Sequence, residues 1–169
     1  MGQGAEIAVQ VVRHGDSFEV EATADIDAGV GDAWKVLTDY DRLSEFIPGM
    51  LESRVVSRDG FSVVVDQRGE TSVLFFTYPI SVRLAIEEQP YERIASTAIS
   101  GNFKDLSGIY VLQARGDGLT LRYEGKFTPD FAYPPLLGTL IVRSTVEKRF
   151  GAMVQEIEKT RHGPGPAAR

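Results

Sequence analysis

The sequence predicts an α+β fold: a curved antiparallel sheet of about seven strands around one long C-terminal helix, with two short helices after the first main strand. Three observations predict it. Segments that alternate apolar and polar residues recur between turn signals through the middle of the chain. One stretch of helical period closes the chain. An antiparallel sheet of this size must cover its apolar face, and the last helix is the one large element left to do so.

The elements follow in order. Residues 1–4 read as a flexible leader, and Ile7 to Val12 is β-branched enough for an extra strand before the turn signal Arg13-His14-Gly15-Asp16. In Phe18 to Asp27, the residues Phe18, Val20, Ala22, Ala24 and Ile26 share one face and the acids share the other, as in a half-buried strand. Ala33, Trp34, Val36 and Leu37 have helical spacing, with Asp32 favourable in the first turn. A second short helix is expected at Asp41 to Ile47, ended by Pro48-Gly49. Leu51 to Arg58 and Phe61 to Gln67 flank the hairpin signal Asp59-Gly60. Leu74 to Ile86 reads as one long strand, bent or interrupted at Pro79. Arg93 to Ser100, Leu106 to Arg115 and Leu119 to Phe127 complete the strands, divided by Gly101-Asn102 and Gly116-Asp117-Gly118. The final helix is expected from about Pro135 to Lys159, since proline suits a first helical turn. Leu136, Leu140, Val146, Phe150, Met153, Val154 and Ile157 read as one broad stripe, and Leu137, Ile141 and Ser144 as a second in the first half. Residues 161–169, with Gly163-Pro164-Gly165-Pro166, read as a disordered tail.

Composition narrows the function. A chain of 169 residues suits one domain, expected here over residues 18–160. With no cysteine there is no disulfide, thiolate metal site or cysteine nucleophile. The two histidines, His14 and His162, lie near opposite ends, so neither a histidine metal cluster nor a well-placed general base is expected. A net charge of -6 repels nucleic acid. The opening MGQGAEIAVQVV lacks the basic and long apolar regions of a signal peptide, which fits a cytoplasmic protein, or a periplasmic one whose export signal was removed. No phosphate loop, Rossmann fingerprint, Gly-x-Ser-x-Gly or HExxH is present, and no cofactor is expected. The acids Asp25, Asp27, Asp39 and Asp41 lack the spacing of a calcium loop and read as a solvated edge. A strongly curved sheet around a single helix is hard to fill with side chains alone, so a pocket between them is expected.

The segments Ala33-Trp34-Lys35-Val36-Leu37-Thr38-Asp39-Tyr40 and Leu43-Ser44-Glu45-Phe46-Ile47-Pro48-Gly49 carry a resemblance. So do Pro90-Tyr91-Glu92-Arg93-Ile94, Gly101-Asn102-Phe103-Lys104-Asp105-Leu106-Ser107-Gly108, and Phe150, Met153 and Ile157 in the last helix. Over roughly Phe18 to Lys159 the chain resembles the START-like polyketide cyclase/dehydrase and lipid-transport superfamily. Within it, the coenzyme-Q-binding START-domain family looks most similar. The resemblance implies the helix-grip fold, seven antiparallel strands wrapped on a C-terminal helix, and a hydrophobic small molecule as partner. Architecture in this superfamily spans many activities.

Each candidate residue has two readings. Trp34 is a cavity wall or a core anchor. Leu43, Phe46, Ile47 and Met50 form a movable lid or an ordinarily packed helix. In Phe75-Phe76-Thr77-Tyr78, one face lines the pocket while the other is core, a partner surface or a transient membrane contact; Phe76 and Tyr78 are the cavity candidates. Phe127, Phe131 and Tyr133 suit the pocket mouth, and Leu137, Leu140, Ile141 and Ser144 the helix side. Tyr110 and Tyr123 are core residues with satisfied hydroxyls or polar groups that orient a ligand head. Arg143 and Glu147, four residues apart, either polarise one end of the cavity or reach solvent. Three functions stay open: a non-catalytic carrier of an isoprenoid quinone, lipid or polyketide-like molecule; an aromatase or cyclase; and a protein-partner module, since one branch of similar proteins is linked to ribosomes. Arg83 and Arg122 are expected to face outward, which weakens the enzyme reading. Oligomeric state is not legible.

Overall fold

A computed structural model describes residues 5–161. Its strands are β1 (Ile7–His14), β2 (Ser17–Ile26), β3 (Met50–Asp59), β4 (Ser62–Val73), β5 (Phe76–Gln89), β6 (Arg93–Gly101), β7 (Phe103–Arg115) and β8 (Gly118–Pro129). The helices are α1 (Val30–Thr38), a 3-10 helix (Tyr40–Glu45) and α2 (Gly138–Arg161). The strands form one antiparallel sheet in the order β1-β2-β8-β7-β6-β5-β4-β3. Thus α1 and the 3-10 helix carry the chain from one end of the sheet to the other. This is the α+β helix-grip fold, with eight strands rather than about seven. The extra strand is β1, which pairs with β2 from Ile7↔Ala24 to His14↔Ser17.

Alternation places the core. Phe18, Val20, Ala22, Ala24 and Ile26 are buried on one face of β2, and Leu119 and Leu121 continue that face on β8. From α2, Val142, Phe150, Met153, Val154 and Ile157 turn inward. The helix packs on β1, β2 and α1. It therefore lies over one side of the sheet and leaves space opposite β4–β7.

Three local expectations change. The stretch from Leu74 to Tyr78 is not strand throughout: β4 runs on to Val73, and Leu74-Phe75 make the tight turn into β5, with Val73 paired to Phe76. Leu74 takes a positive φ of 57°, a cost for a leucine that the apolar sequence gave no sign of. Next, β5 passes through Pro79 uninterrupted. The Ser81 N–H donates to Asn102 Oδ1, and the Pro79 carbonyl accepts from Asn102 Nδ2, so this side of β5 faces away from β4. The absent proline N–H points there too, and no β4–β5 ladder bond is lost. Finally, α2 begins at Gly138 rather than Pro135. Arg13 donates to the carbonyls of Tyr133 and Pro134 and fixes the chain just before it.

The expected leader at 1–4 lies outside the described residues. Of the expected tail at 161–169, Arg161 is the last residue of α2 and the rest lies outside the described residues. No helix among the described residues is long and apolar enough to cross a membrane.

Candidate ligand-binding site

A cavity of about 340 Å³ lies between α2 and the sheet, within the roughly 300–1,000 Å³ usual for small-molecule pockets. Its apolar wall comes from Leu84 and Ile86 on β5, Ile94 on β6, Leu37 on α1, and Val142, Val146, Phe150 and Met153 on α2. Leu43, Ile47 and Met50 close one side. Two backbone bonds hold that segment here: Ile47 N–H donates to the Leu43 carbonyl at 2.9 Å, and Glu70 N–H to the Gly49 carbonyl at 2.9 Å.

Two tyrosines stand in the middle of the sheet wall. Tyr110 and Tyr123 are cross-strand partners with ring centroids 4.9 Å apart. The Tyr123 ring lies over Gly108 and Gly125, themselves paired across β7 and β8. A Cβ at either glycine would overlap the phenol, so both positions must lack a side chain. Among the described residues, no side-chain hydrogen bond acts on either phenol. Burial pushes both phenols above the ordinary range. Both line the cavity as neutral phenols.

An aromatic cluster forms another side. Phe127, Phe131 and Tyr133 line the cavity. Behind them Phe18 stacks on Phe127 at 5.4 Å and meets Tyr133 edge-on at 5.2 Å. Tyr78 does not line the cavity but stacks on Phe131 at 4.4 Å.

Polar side chains also line the cavity, and several are tied: Gln67 donates to Ser53 Oγ at 3.3 Å, Arg68 pairs with Glu52, and Thr145 donates to the Ile141 carbonyl at 3.1 Å. Tyr40 lines the cavity but donates to Glu88 Oε2 at 2.5 Å, while Arg58 grips the same carboxylate at 3.0 and 3.2 Å. Burial and the Glu88 charge push the Tyr40 phenol far up. Arg149 is different. It enters the cavity from α2 and donates from Nη2 to the Glu70 carbonyl at 3.1 Å. Among the described residues this is its one side-chain hydrogen bond, and no carboxylate lies within ion-pair distance. Burial pulls its pKa below the ordinary arginine value, opposed by the nearby Tyr133. Gly49 makes room for it: a side chain there would meet the guanidinium and the Glu70 carbonyl, and its φ of 79° also favours glycine.

The other candidates stand outside the cavity wall. Trp34 packs on the core beside Tyr91, with centroids 5.7 Å apart. Phe46 packs partly buried on the same core. Phe76 and Leu137 are exposed, and Ile141 is half-buried in the aromatic cluster. Leu140 is 60% exposed and Leu136 91%. The reason is phase: Leu140 is two residues from Val142, about 200° round the helix, and Leu136 precedes the helix. Ser144 is exposed, and Arg143 pairs with Glu147 at 3.7 Å in solvent. Arg83 and Arg122 sit in exposed ion pairs with Asp66 and Glu21 on the outer face. The acidic residues are separately engaged: Asp25 by Arg115 and Thr120, Asp27 by Arg161, and Asp41 by the Val55 N–H.

Leu74, Phe75 and Phe76 form an exposed apolar hairpin tip, with Phe75 97% exposed. It adjoins the start of α2, because Val73 and Tyr78 pack in one cluster with Phe131, Tyr133, Ile141 and Val142.

Compared with known protein families, residues 26–154 match the model described as polyketide cyclase / dehydrase and lipid transport. The chain belongs to this family. Among solved structures, the Zhui aromatase/cyclase from Streptomyces sp. R1128 is 16% identical, with a TM-score of 0.72 over 88% of this chain and 98% of that one. Human STARD10 is 11% identical, with a TM-score of 0.73 over 96% of this chain and 73% of that one. A STAR-related lipid transfer protein from Xanthomonas axonopodis is 15% identical, with a TM-score of 0.69 over 92% and 99%. At such identities the likeness is one of fold. A comparison with curated proteins found no match. The family and fold support a cavity for a hydrophobic ligand, and they do not single out a coenzyme-Q-binding branch.

The sequence reading gave no site role to Arg149, Gly49, Gly108 or Gly125. The signal for Arg149 was present: it stands seven residues after Val142 and four before Met153, on the inward stripe of α2. The glycine pair had no local signal, because its role depends on strands 17 residues apart coming into register.

Proposed function

We propose that this protein binds and carries a hydrophobic small molecule, such as an isoprenoid quinone, a lipid or a polyketide-like chain, without transforming it. One observation carries the reading: the cavity is walled mainly by aliphatic and aromatic side chains, and among the described residues its polar groups do not converge as a base and an acid. Tyr40 is tied to Glu88, the Tyr110 and Tyr123 phenols are held neutral, and among the described residues Arg149 stands beside no carboxylate. Burying apolar ligand area contributes about 25 cal/mol per Å².

Protein purified without detergent should yield a stoichiometric apolar molecule to organic extraction and mass spectrometry. An empty protein that also ignores quinones and fatty acids in a titration would overturn the proposal. Turnover of a polyketide chain by pure protein would favour the cyclase reading. Val146→Trp, which fills the cavity from α2, should weaken binding at least about tenfold while the protein stays folded. Leu140→Arg on the opposite face of the helix should leave binding unchanged. The reverse pattern would place the ligand elsewhere.

The exposed hairpin tip supports a brief membrane contact during loading. Phe75→Glu should slow ligand transfer from phosphatidylcholine vesicles about fivefold or more and leave affinity for free ligand intact. Equal transfer rates would remove the tip from the loading route.

A further inference from the structure

Among the described residues, the cavity holds one charge that no carboxylate neutralises. Arg149 stands on the inward stripe of α2, among Val146, Phe150 and Met153. One of its five N–H groups is used, on the Glu70 carbonyl. The neighbouring cations are arranged otherwise: Arg143 pairs with Glu147 in solvent, Arg68, which also lines the cavity, pairs with Glu52, and Arg13 spends its guanidinium on the Gly15, Tyr133 and Pro134 carbonyls. A half-buried guanidinium without a counter-charge is costly. The chain nevertheless builds room for it, since Gly49 leaves open the space that a side chain would take from the guanidinium. Tyr133 and Thr71 also line this part of the cavity and bring neutral hydroxyls. The lining beyond is apolar, with Leu84, Ile86 and Ile94 on the sheet.

We infer that Arg149 is the anchor for an anionic head, a carboxylate or phosphate, on an otherwise apolar ligand. A planar guanidinium with free N–H groups matches both oxyanions and gives charge-assisted hydrogen bonds. The ligand supplies the counter-charge that the fold withholds, and its chain lies along the aliphatic wall. The inference rests on the carrier reading and deepens it, from an apolar ligand of any kind to an amphipathic anion.

The test compares three ligands with the same sixteen-carbon chain: hexadecanoate, hexadecyl phosphate and hexadecanol. Binding is measured by calorimetry below their aggregation limits. At least one anion should bind the native protein about tenfold more tightly than the alcohol. A preference for hexadecanoate assigns a carboxylate head, and one for hexadecyl phosphate assigns a phosphate head. Arg149→Gln should abolish the preference and leave hexadecanol within about twofold of native affinity. Arg149→Lys, which keeps the charge but loses the planar fork, should retain part of it. Equal affinity of the native protein for all three ligands would overturn the inference while leaving the carrier reading intact. So would an Arg149→Gln variant that keeps the preference, or one that weakens all three alike. Failure of all three to bind would also overturn the inference, and the organic extract and the quinone titration would then decide the carrier reading. If Arg149→Gln does not fold, the native comparison and Arg149→Lys still decide.

Discussion

Replacing Phe18 with alanine should destabilise the protein by about 3–5 kcal/mol. Phe18 is 0% exposed and sits behind the cavity wall. It stacks on Phe127, meets Tyr133 edge-on, and carries the Arg13 guanidinium 5.1 Å above its ring. Truncation removes apolar burial, two aromatic contacts and a cation–π contact, and leaves a void between β2 and the turn before α2. In a chain of this size the melting temperature should fall by roughly 6–20 °C. Ligand affinity should fall with it, because Phe127 and Tyr133 line the cavity and lose their support. Thermal melts and a titration check both. A loss under about 1 kcal/mol would mean that the cluster collapses onto the gap and that Phe18 does not hold the wall.

The second large effect is expected at Arg58. Its guanidinium grips Glu88, whose side chain is only 4% exposed and also accepts the Tyr40 hydroxyl. Removing the cation in Arg58→Met leaves a buried carboxylate with one neutral partner. A broken buried pair commonly costs 3–5 kcal/mol. The Arg58 side chain is 42% exposed, so solvent screening reduces the figure to about 2 kcal/mol. Adding Glu88→Gln to Arg58→Met should recover at least about 1 kcal/mol, since the orphaned charge is then gone. Urea denaturation of the two single variants and the double variant measures this coupling. Additive losses would show that the two residues act independently. The triad fastens the 3-10 helix to the end of β5, so the same variants should loosen the cavity side formed by Leu43 and Ile47.

Much of the architecture was legible because it depends on local pattern. Alternation in Phe18 to Ile26 and in Leu119 to Phe127 marked two strands and their inward faces, and those strands are neighbours in the sheet. Val146, Phe150, Met153, Val154 and Ile157 marked the inward side of the C-terminal helix. The misreadings arose where distant residues override local preference. Leu74 and Phe75 have the composition of a strand, yet β4 and β5 pair through Val73 and Phe76 and force the turn between them. Pro79 is tolerated because Asn102 takes the outer side of β5 at that point. Leu136 and Leu140 are apolar but face solvent: Leu136 precedes the helix, which begins at Gly138, and Leu140 lies about 200° round from the buried Val142.

The site divides in the same way. Aromatic density pointed to Phe127, Phe131 and Tyr133, and tyrosines on alternating strands pointed to Tyr110 and Tyr123, because residue type and face are local properties. Which charge enters the cavity was not local. Arg143 and Arg149 share a helix and a side-chain type, and the i, i+4 spacing drew notice to Arg143 with Glu147. That pair faces water, where it neutralises itself. Arg149 lies six residues on, about a third of a turn round the helix, where the helix crosses the Gly49 turn and the β4 carbonyl of Glu70. By itself the sequence determined the order of elements, the apolar faces and the absence of thiol chemistry. Tertiary structure alone decided which polar groups share one low-dielectric space, because that depends on the register and crossing of segments far apart in the chain.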